Sequence, residues 1–381
     1  MKKIVVIVLI AALGAGFGFT LWLRNQPEDE SETTKSLPTP SPITSSPAKP
    51  VSLEVEVVAE NLNIPWDIAF LPNQEMLVTE RGGRLIHISK TGEKKTLIVD
   101  SVKSTGESGL LGIILHPRFT ENHFVYLYIT HTATGGGLLN RVERYVYENN
   151  QLTQKKTIIS NIPGALYHDG GRMEFGPDGF LYITTGDATK ENLAQDKNSL
   201  AGKILRLNDD GTIPSGNPFN TAMYSFGHRN PQGLTWDPQG NLWSTEHGRS
   251  GVLTGYDELN LITAGSNYGW PTIQGPETKS GLVTPVLNSG SNTTWAPASA
   301  LYWDGSIFFG GLLGESLYEA KLQGNTVTKL NKYFFKEYGR IRTVRLGPDG
   351  MFYMTTSNHD GRGKPKSGDD KILRVNPARF R

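Results

Sequence analysis

The sequence contains no cysteine. Disulfide bonds, a lipid-modified cysteine and a thiolate-ligated transition metal are therefore excluded. Excess charge of either sign is also absent, because 38 Lys and Arg residues stand against 37 Asp and Glu residues. Nothing in this balance indicates binding to nucleic acid or to an anionic membrane surface. What the 381 residues do contain is 43 glycines and 22 prolines, which is typical of a turn-rich globular domain.

The N-terminus carries an apolar segment. Lys2 and Lys3 precede an uncharged stretch, residues 4–23, and Arg24 follows it. The stretch is long enough to cross a bilayer as a helix, and the charges before it favour a cytoplasmic N-terminus. An uncleaved anchor and a cleaved signal peptide are both open, and the anchor is favoured because a signal-peptide core has only roughly 7–15 apolar residues. Residues 1–24 thus predict an extracytoplasmic protein anchored to the cell membrane, or a secreted one if the segment is cleaved.

The next segment, residues 25–50, is rich in Pro, Ser, Thr and charge and has few large apolar residues. Such a segment cannot bury enough surface to offset the entropy lost on ordering, so it predicts a flexible linker. The folded domain is then expected to cover residues 51–381.

A repeated sequence segment occurs along this domain: an apolar strand, a turn with Pro, Asp, Gly or Asn, and a second apolar strand. Six copies have their turns at Pro72, Pro117, Pro177, Pro238, Asp304 and Asp349. These turns predict hairpins, since Pro presets φ and Gly accepts positive φ. Their spacing resembles that of propeller blades, which take about 40–50 residues each.

A third strand follows each hairpin, again six times, from Gly83, Arg141, Lys203, Asp257, Ser316 and Lys371. Small antiparallel sheets repeated around an axis cover one another's faces. The sequence therefore predicts an all-β fold, a six-bladed β-propeller of four-stranded antiparallel blades, with the strand from Leu53 closing the last blade. A β-sandwich with a long insertion is the alternative, and it does not explain two matched sets of six.

Loops that enter or leave the inner strands of a propeller surround its central channel, where ligands bind. On such loops, His168 predicts a general base and Asp187 the carboxylate that orients it; a histidine within a turn network is the alternative. Arg229 can hold a quinone or a carboxylate, or it can join two loops. Arg340 and Arg342 share one face of a strand, where they hold an anion or form an exposed basic edge.

Metal ligands of one chemical kind are also available. Glu246, Asp257 and Glu258, together with loop carbonyls, offer hard oxygen ligands that favour calcium. Histidines at zinc spacing are missing, which speaks against a softer metal.

Three motifs carry a resemblance to a known family: GHRNPQGL from Gly227, DELNLI with GSNYGWP between Asp257 and Pro271, and GLLG from Gly109. Together with the repeats, they resemble the glucose/sorbosone dehydrogenase family over about Leu53 to Val375. The family includes soluble quinoprotein glucose dehydrogenases and aldose sugar dehydrogenases. The resemblance implies oxidation of the C1 hydroxyl of an aldose by pyrroloquinoline quinone (PQQ) with calcium, followed by electron transfer to an external acceptor.

The resemblance also implies residue roles. His168 is the expected base, Asp187 its orienting carboxylate, and Arg229 the cation beside the quinone oxygens. The other positions expected at the cofactor are Glu107, Asn230, Gln232, Arg340 and Arg342. Carbonyl oxygens of Gly248 and Arg249 match the ligands of the cofactor's calcium, and Glu258 with the Tyr268 carbonyl matches a second calcium site.

Three positions depart from the family pattern. Glu107 replaces a glutamine of the glucose-oxidising members, and this carboxylate weakens binding of an anionic cofactor unless it is protonated or paired. Tyr167 replaces an aspartate, and Leu313 stands where a cofactor-binding lysine is expected. Arg362, Lys364 and Lys366 on the last rim loop are candidates to replace that lysine.

These departures keep a different class of function open. A non-catalytic propeller that binds a glycan or a protein is the main alternative to the enzyme. A calcium-dependent lactonase ranks last, because no set of carboxylates or amides converges on the predicted channel.

Overall fold

The computed structural model describes residues 55–249 and 255–381, and strands make up almost all of its regular structure. The strands form six four-stranded antiparallel sheets, which confirms the predicted six-bladed propeller. The predicted membrane helix, residues 1–24, and the linker, residues 25–50, lie outside the described residues. Across the described ranges, no helix combines the length and the apolar character that crossing a bilayer requires.

The blades are numbered I to VI along the chain, and the first strand, β1 (Val55–Ala59), belongs to blade VI. Blade I contains β2 (Pro65–Phe70), β3 (Met76–Glu80), β4 (Arg84–Ile88) and β5 (Lys94–Ile98). Blade II contains β6 (Leu110–Leu115), the one-turn helix α1 (Phe119–Asn122), β7 (Phe124–Thr132), β8 (Leu138–Glu148) and β9 (Gln151–Gly164). Blade III contains β10 (Met173–Phe175), β11 (Leu181–Thr185), β12 (Lys203–Leu207) and β13 (Met223–Phe226).

The remaining blades follow the same order. Blade IV contains β14 (Pro231–Trp236), β15 (Leu242–Glu246), β16 (Glu258–Ile262) and β17 (Leu287–Asn288). Blade V contains β18 (Pro297–Trp303), β19 (Ser306–Gly311), β20 (Ser316–Gln323) and β21 (Thr326–Tyr333). Blade VI contains β22 (Ile341–Leu346), β23 (Phe352–Thr356), β24 (Ile372–Val375) and β1. Single 3₁₀ turns occur at Glu191–Ala194, Pro218–Asn220 and Pro377–Phe380.

The turn chemistry explains the inner hairpins. In blade III, the amide of Gly179 donates to the Gly176 carbonyl, and the side chain of Asp178 accepts from the Phe180 amide. Gly179 has φ +80°, a left-handed conformation that costs glycine nothing. The Pro-Asp-Gly sequence therefore builds the tight turn that the repeats predicted.

Apolar clusters hold the ring together, one between each pair of neighbouring blades. The pairs that illustrate them are Leu77 with Leu127, Tyr126 with Ile183, Tyr182 with Leu234, Trp243 with Phe309, Phe308 with Phe352, and Ile372 with Val78. All residues of β3, β11, β15 and β19 are buried, because both faces of these second strands are covered. Full burial of a Val, Leu, Ile, Phe or Met side chain contributes about 1.5–3 kcal/mol to the free energy of folding.

The ring closes between the two ends of the domain. Strand β1 pairs with β24, with Val55 opposite Val375 and Glu56 opposite Arg374. The Arg374 guanidinium lies 2.8 Å from the Glu56 carboxylate and 2.8 Å from that of Asp349. The predicted pairing of the leading strand with the last one is confirmed, and it fixes blade VI against blade I.

Buried charges cross the channel between the inner strands. Asp67 on β2 forms ion pairs with Arg172, at 2.6 Å, and with Arg345 on β22, at 3.0 Å. Arg345 also pairs with Glu174 on β10. Two guanidiniums thus compensate two carboxylates, and this network of four residues ties three inner strands to one another.

Candidate active site

The topology gathers the predicted residues at one end of the channel. In an antiparallel hairpin, the start of the first strand and the end of the second lie at the same edge. His168 precedes β10 and Asp187 follows β11, while Arg229 precedes β14 and Arg340 precedes β22. We call this end of the channel the mouth.

A histidine–carboxylate pair lies at the mouth. The Nδ1 atom of His168 is 2.8 Å from Oδ1 of Asp187. Since an ionised carboxylate only accepts hydrogen bonds, Nδ1 carries the proton, and Nε2 is left as a proton acceptor. His168 keeps 14 % of its side-chain surface exposed, whereas Asp187 keeps 2 %. The pair therefore presents one basic nitrogen to a bound molecule and keeps its partner carboxylate away from water.

Asp187 is fixed by further donors. Its Oδ1 also accepts from the Thr189 amide at 2.7 Å, and its Oδ2 accepts from the Trp270 indole at 2.9 Å. Trp270 belongs to the GSNYGWP motif, which could also serve only for packing. The indole instead connects blade IV with the carboxylate that orients His168.

Arg229 lies beside this pair and is 6 % exposed. Its guanidinium stacks 5.4 Å from the centre of the Trp270 ring. Its amide donates to Glu246, which also accepts from Nδ1 of the fully buried His228 at 2.8 Å. Burial lowers the pKa of Arg229, although Asp187, Glu107 and Glu246 counteract this effect. Glu246 is thus used to hold the GHRNPQG loop and is not free for a metal.

Asn230 and Gln232 are both buried and organise the loop after His168. Oδ1 of Asn230 accepts from the Gly170 amide at 3.0 Å and from Nε2 of Gln232 at 3.1 Å. Nδ2 of Asn230 has no hydrogen-bond partner among the described residues. A buried donor without a partner is costly.

The two predicted arginines of blade VI share a carboxylate that sequence reasoning missed. Asp360 accepts from Nε and Nη2 of Arg340, at 2.9 and 2.7 Å, and lies 3.8 Å from Nη2 of Arg342. Arg340 also donates to the Leu312 carbonyl at 2.9 Å. Burial lowers the pKa of Arg342 to about 9, Asp360 opposes this, and Arg81 and Arg340 add to it. The guanidinium of Arg342 also lies 5.7 Å from the Trp66 ring.

Glu107 and Arg362 meet across the mouth at 2.7 Å. The other carboxylate oxygen of Glu107 accepts from the His168 amide at 3.0 Å. Although burial opposes ionisation, His247, Arg362 and that amide lower the pKa of Glu107 to about 2. Tyr167 lies under the Arg362 guanidinium, 5.3 Å from it. The carboxylate of Glu107 is therefore ionised and paired.

A cavity of about 380 Å³ opens between these groups, a size within the range of small-molecule sites. Glu107, His168, Arg249, Arg340 and Arg362 contribute polar walls, and Leu312 and Leu313 an apolar one. A deeper, smaller cavity is lined by Trp66, Gln232, Arg342 and again Arg362. Neither cavity is lined by Lys364 or Lys366.

His247 lines both cavities, and sequence reasoning assigned it no role. Its Nε2 is buried without a partner in the described part of the chain. Burial lowers the pKa of His247 to about 4, so the ring is neutral near pH 7. The sequence predicts the position of His247 after a strand, but the orientation of its side chain into the cavity depends on loops from other blades.

The four predicted metal positions, Gly248, Arg249, Glu258 and Tyr268, line one small cavity of about 10 Å³. This is about the space of a single water molecule. Burial and the nearby Glu246 raise the pKa of Glu258 to about 8. Asp257 is occupied by the amides of Gly248, Trp295 and Ala296. In the described ranges, no three His, Asp or Glu side chains form a metal cluster.

The lining of the two cavities suits an anionic ligand with acceptor oxygens. Arg249, Arg340 and Arg362 line the main cavity and Arg342 the deeper one, against the carboxylates of Glu107 and Asp257. The unpartnered atoms His247 Nε2 and Arg249 Nε add further polar groups, whereas Asn230 lines neither of these two cavities. PQQ, a tricarboxylate o-quinone, has this chemistry.

Comparison with known proteins gives one consistent result. Residues 62–365 match the glucose/sorbosone dehydrogenase family. An aldose sugar dehydrogenase of Escherichia coli is 32 % identical over 87 % of this chain and 94 % of its own. Quinoprotein glucose dehydrogenase B of Acinetobacter calcoaceticus is 33 % identical over 64 % of this chain and 58 % of its own. The PQQ-bound aldose sugar dehydrogenase of Streptomyces coelicolor superposes with a TM-score of 0.79 and 40 % identity, covering 86 % of this chain and 99 % of that one.

Proposed function

The chain belongs to the glucose/sorbosone dehydrogenase family, and from this premise we propose that it oxidises the C1 hydroxyl of an aldose to the lactone, using PQQ and calcium. The observation that carries the proposal is the His168–Asp187 pair, 2.8 Å apart, at the wall of a cavity lined by arginines. The likeness to the PQQ-bound aldose sugar dehydrogenase supports the choice of cofactor.

His168 acts as the general base. Its Nε2 accepts the proton of the C1 hydroxyl, and Asp187 stabilises the imidazolium that forms. The Trp270 and Thr189 donors keep that carboxylate aligned, so the base does not have to reorganise during the reaction. When bound, PQQ supplies the quinone that accepts the C1 hydride, and calcium polarises it.

Other residues bind and orient the cofactor and its calcium. Arg229 is held by the Trp270 ring and faces developing negative charge, while Arg342 and Arg340 attract carboxylates. The Asn230 amide offers its unpartnered Nδ2. Carbonyl oxygens of Gly248 and Arg249 are the ligands we assign to the calcium of the cofactor, with Glu258 and the Tyr268 carbonyl at the second calcium position.

The test is reconstitution of purified protein with PQQ and calcium, followed by reduction of a redox dye with aldoses. Dye reduction that requires PQQ, calcium and an aldose supports the proposal. His168→Ala is expected to lower kcat by about 10²–10⁴, the usual contribution of a general base. A wild-type protein that binds no PQQ in the presence of calcium would instead favour a non-catalytic propeller that binds a glycan or a protein.

We also propose that the site lies outside the cytoplasm, with residues 1–24 as membrane anchor or signal, and that an external acceptor removes the electrons. The two lysines before the apolar stretch of residues 4–23 support this orientation. N-terminal sequencing of the protein from membrane and soluble fractions distinguishes an anchor from a cleaved signal. A full-length protein found only in the cytoplasm would refute export.

A further inference from the structure

The ion pair of Glu107 and Arg362 joins loops that are far apart in the chain. Glu107 precedes β6 of blade II, and Arg362 follows β23 of blade VI. Their charged atoms are 2.7 Å apart, with Glu107 22 % and Arg362 50 % exposed. The Arg362 guanidinium also covers the ring of Tyr167, on the loop before blade III. Two interblade loops and the β23–β24 loop of blade VI therefore meet at this pair.

Both partners are fixed from behind. One carboxylate oxygen of Glu107 accepts from the amide of His168, a residue with φ +64°. The Glu107 amide donates to the Leu166 carbonyl at 2.7 Å. On the other side, the Arg362 amide donates to Asp360, whose second oxygen pairs with Arg340. Arg362 is thus held between the base and the arginine pair.

The charges at this position matter for an anionic ligand. Burial opposes ionisation of Glu107, but the Arg362 guanidinium and the His168 amide keep its carboxylate ionised near pH 7, where His247 is neutral. Both Glu107 and Arg362 line the main cavity and the deeper one. A carboxylate in that wall repels an anionic ligand unless its charge is compensated, and Arg362 is the cation in contact with it.

We propose that Arg362 is a cofactor-binding cation that Glu107 positions at the mouth. An arginine carries five N–H donors, so one edge can bind Glu107 while the half-exposed remainder binds a carboxylate of the ligand. Lys364 and Lys366, on the same loop, do not take this role, since neither lines the cavities. The inference rests on the proposed function, because PQQ is the anion in question.

The experiment measures the PQQ dissociation constant by absorbance titration at saturating calcium, without substrate. Arg362→Gln leaves Glu107 uncompensated and is expected to weaken binding by at least about tenfold. Glu107→Gln keeps an oxygen for the His168 amide but frees Arg362, so binding is expected to stay equal or become tighter. The double variant is expected to lie between the two. Lys364→Gln, the matched control, removes one cation from the same loop and is expected to change binding less than about twofold.

A cofactor-binding role predicts that Arg362→Gln weakens PQQ binding while Glu107→Gln does not, whereas a merely structural role predicts the same loss for both. Equal weakening by Arg362→Gln and Glu107→Gln would show that the pair only braces the loops and would overturn the inference. Arg362→Lys, which keeps the charge, is expected to recover most of the affinity, and it replaces Arg362→Gln if that variant does not fold. If the wild type binds PQQ and Arg362→Gln binds it equally well, the inference is overturned and the proposed function is not. No binding by the wild type overturns the proposed function together with it.

Discussion

Replacing Asp187 by Asn tests how the base is held. Asp187 accepts from His168, Thr189 and Trp270, at 2.8, 2.7 and 2.9 Å. Asn keeps the shape but has one accepting oxygen, so the indole of Trp270 then faces an NH₂ group. The oxygen that faces His168 no longer carries a charge, which weakens the stabilisation of the imidazolium by up to about 1.5–3 kcal/mol.

If that interaction is fully expressed in the transition state, kcat falls about 10- to 150-fold. The assay is dye reduction by the protein reconstituted with PQQ and calcium, after a titration shows that the cofactor is bound. Trp270→Phe is the matched control, because it removes one donor to Asp187 and leaves the carboxylate; a smaller loss is expected. Unchanged kcat for Asp187→Asn with bound PQQ would refute the assignment of this carboxylate.

Three further predictions concern stability and local packing. The folded pKa of Glu107, about 2, lies below its ordinary 4.5, so its ionised form adds stability above pH 4.5 that is lost as the pH falls toward 2. Urea titrations should therefore show Glu107→Gln to be less stable than wild type by up to about 3 kcal/mol near pH 7, with the difference vanishing near pH 2; a constant difference would contradict the ion pair. Gly186→Ala places a Cβ 1.9 Å from the His168 carbonyl and should cost about 1–3 kcal/mol and lower kcat, whereas Gly179→Ala, in open space at φ +80°, should cost about 1 kcal/mol and leave kcat alone. Asn230→Ala leaves the Gly170 amide without its partner, so we expect a loss of about 1–3 kcal/mol in thermal unfolding and weaker PQQ binding; wild-type values for both would show that this loop does not depend on Asn230.

Much of the fold was readable because its signals are local. Each Pro-Asp-Gly turn sets its own hairpin, and Gly179 shows why, since its positive φ needs no tertiary support. The pairing of β1 with β24 could be predicted because the ring closes when the leading strand and the last strand share one blade.

The site was only partly readable, because its contacts cross blades. His168 and Asp187 flank one hairpin, so their proximity could be predicted from the chain alone. The indole of Trp270 reaches Asp187 from another blade, and no local pattern indicates that contact. Asp360, which binds Arg340, was missed for a related reason, since the residue lies in a long loop without regular structure.

The departures at Glu107 and Leu313 show the same limit. From sequence, Glu107 weakens binding of an anionic cofactor unless it is protonated or paired, and Arg362, Lys364 and Lys366 were candidates to replace the lysine missing at Leu313. The coordinates select Arg362, because the loop after β23 directs this side chain across the mouth and keeps Lys364 and Lys366 outside the cavities. Such a choice depends on loop geometry that the residue types do not encode.

The most direct test of the account is the absorbance spectrum of the protein mixed with PQQ and calcium, recorded without oxygen before and after an aldose is added. We expect a calcium-dependent change when PQQ binds and loss of the quinone absorbance when the sugar is added, with that second change slowed in His168→Ala. A spectrum that equals the sum of free PQQ and protein, unchanged by sugar, would contradict it.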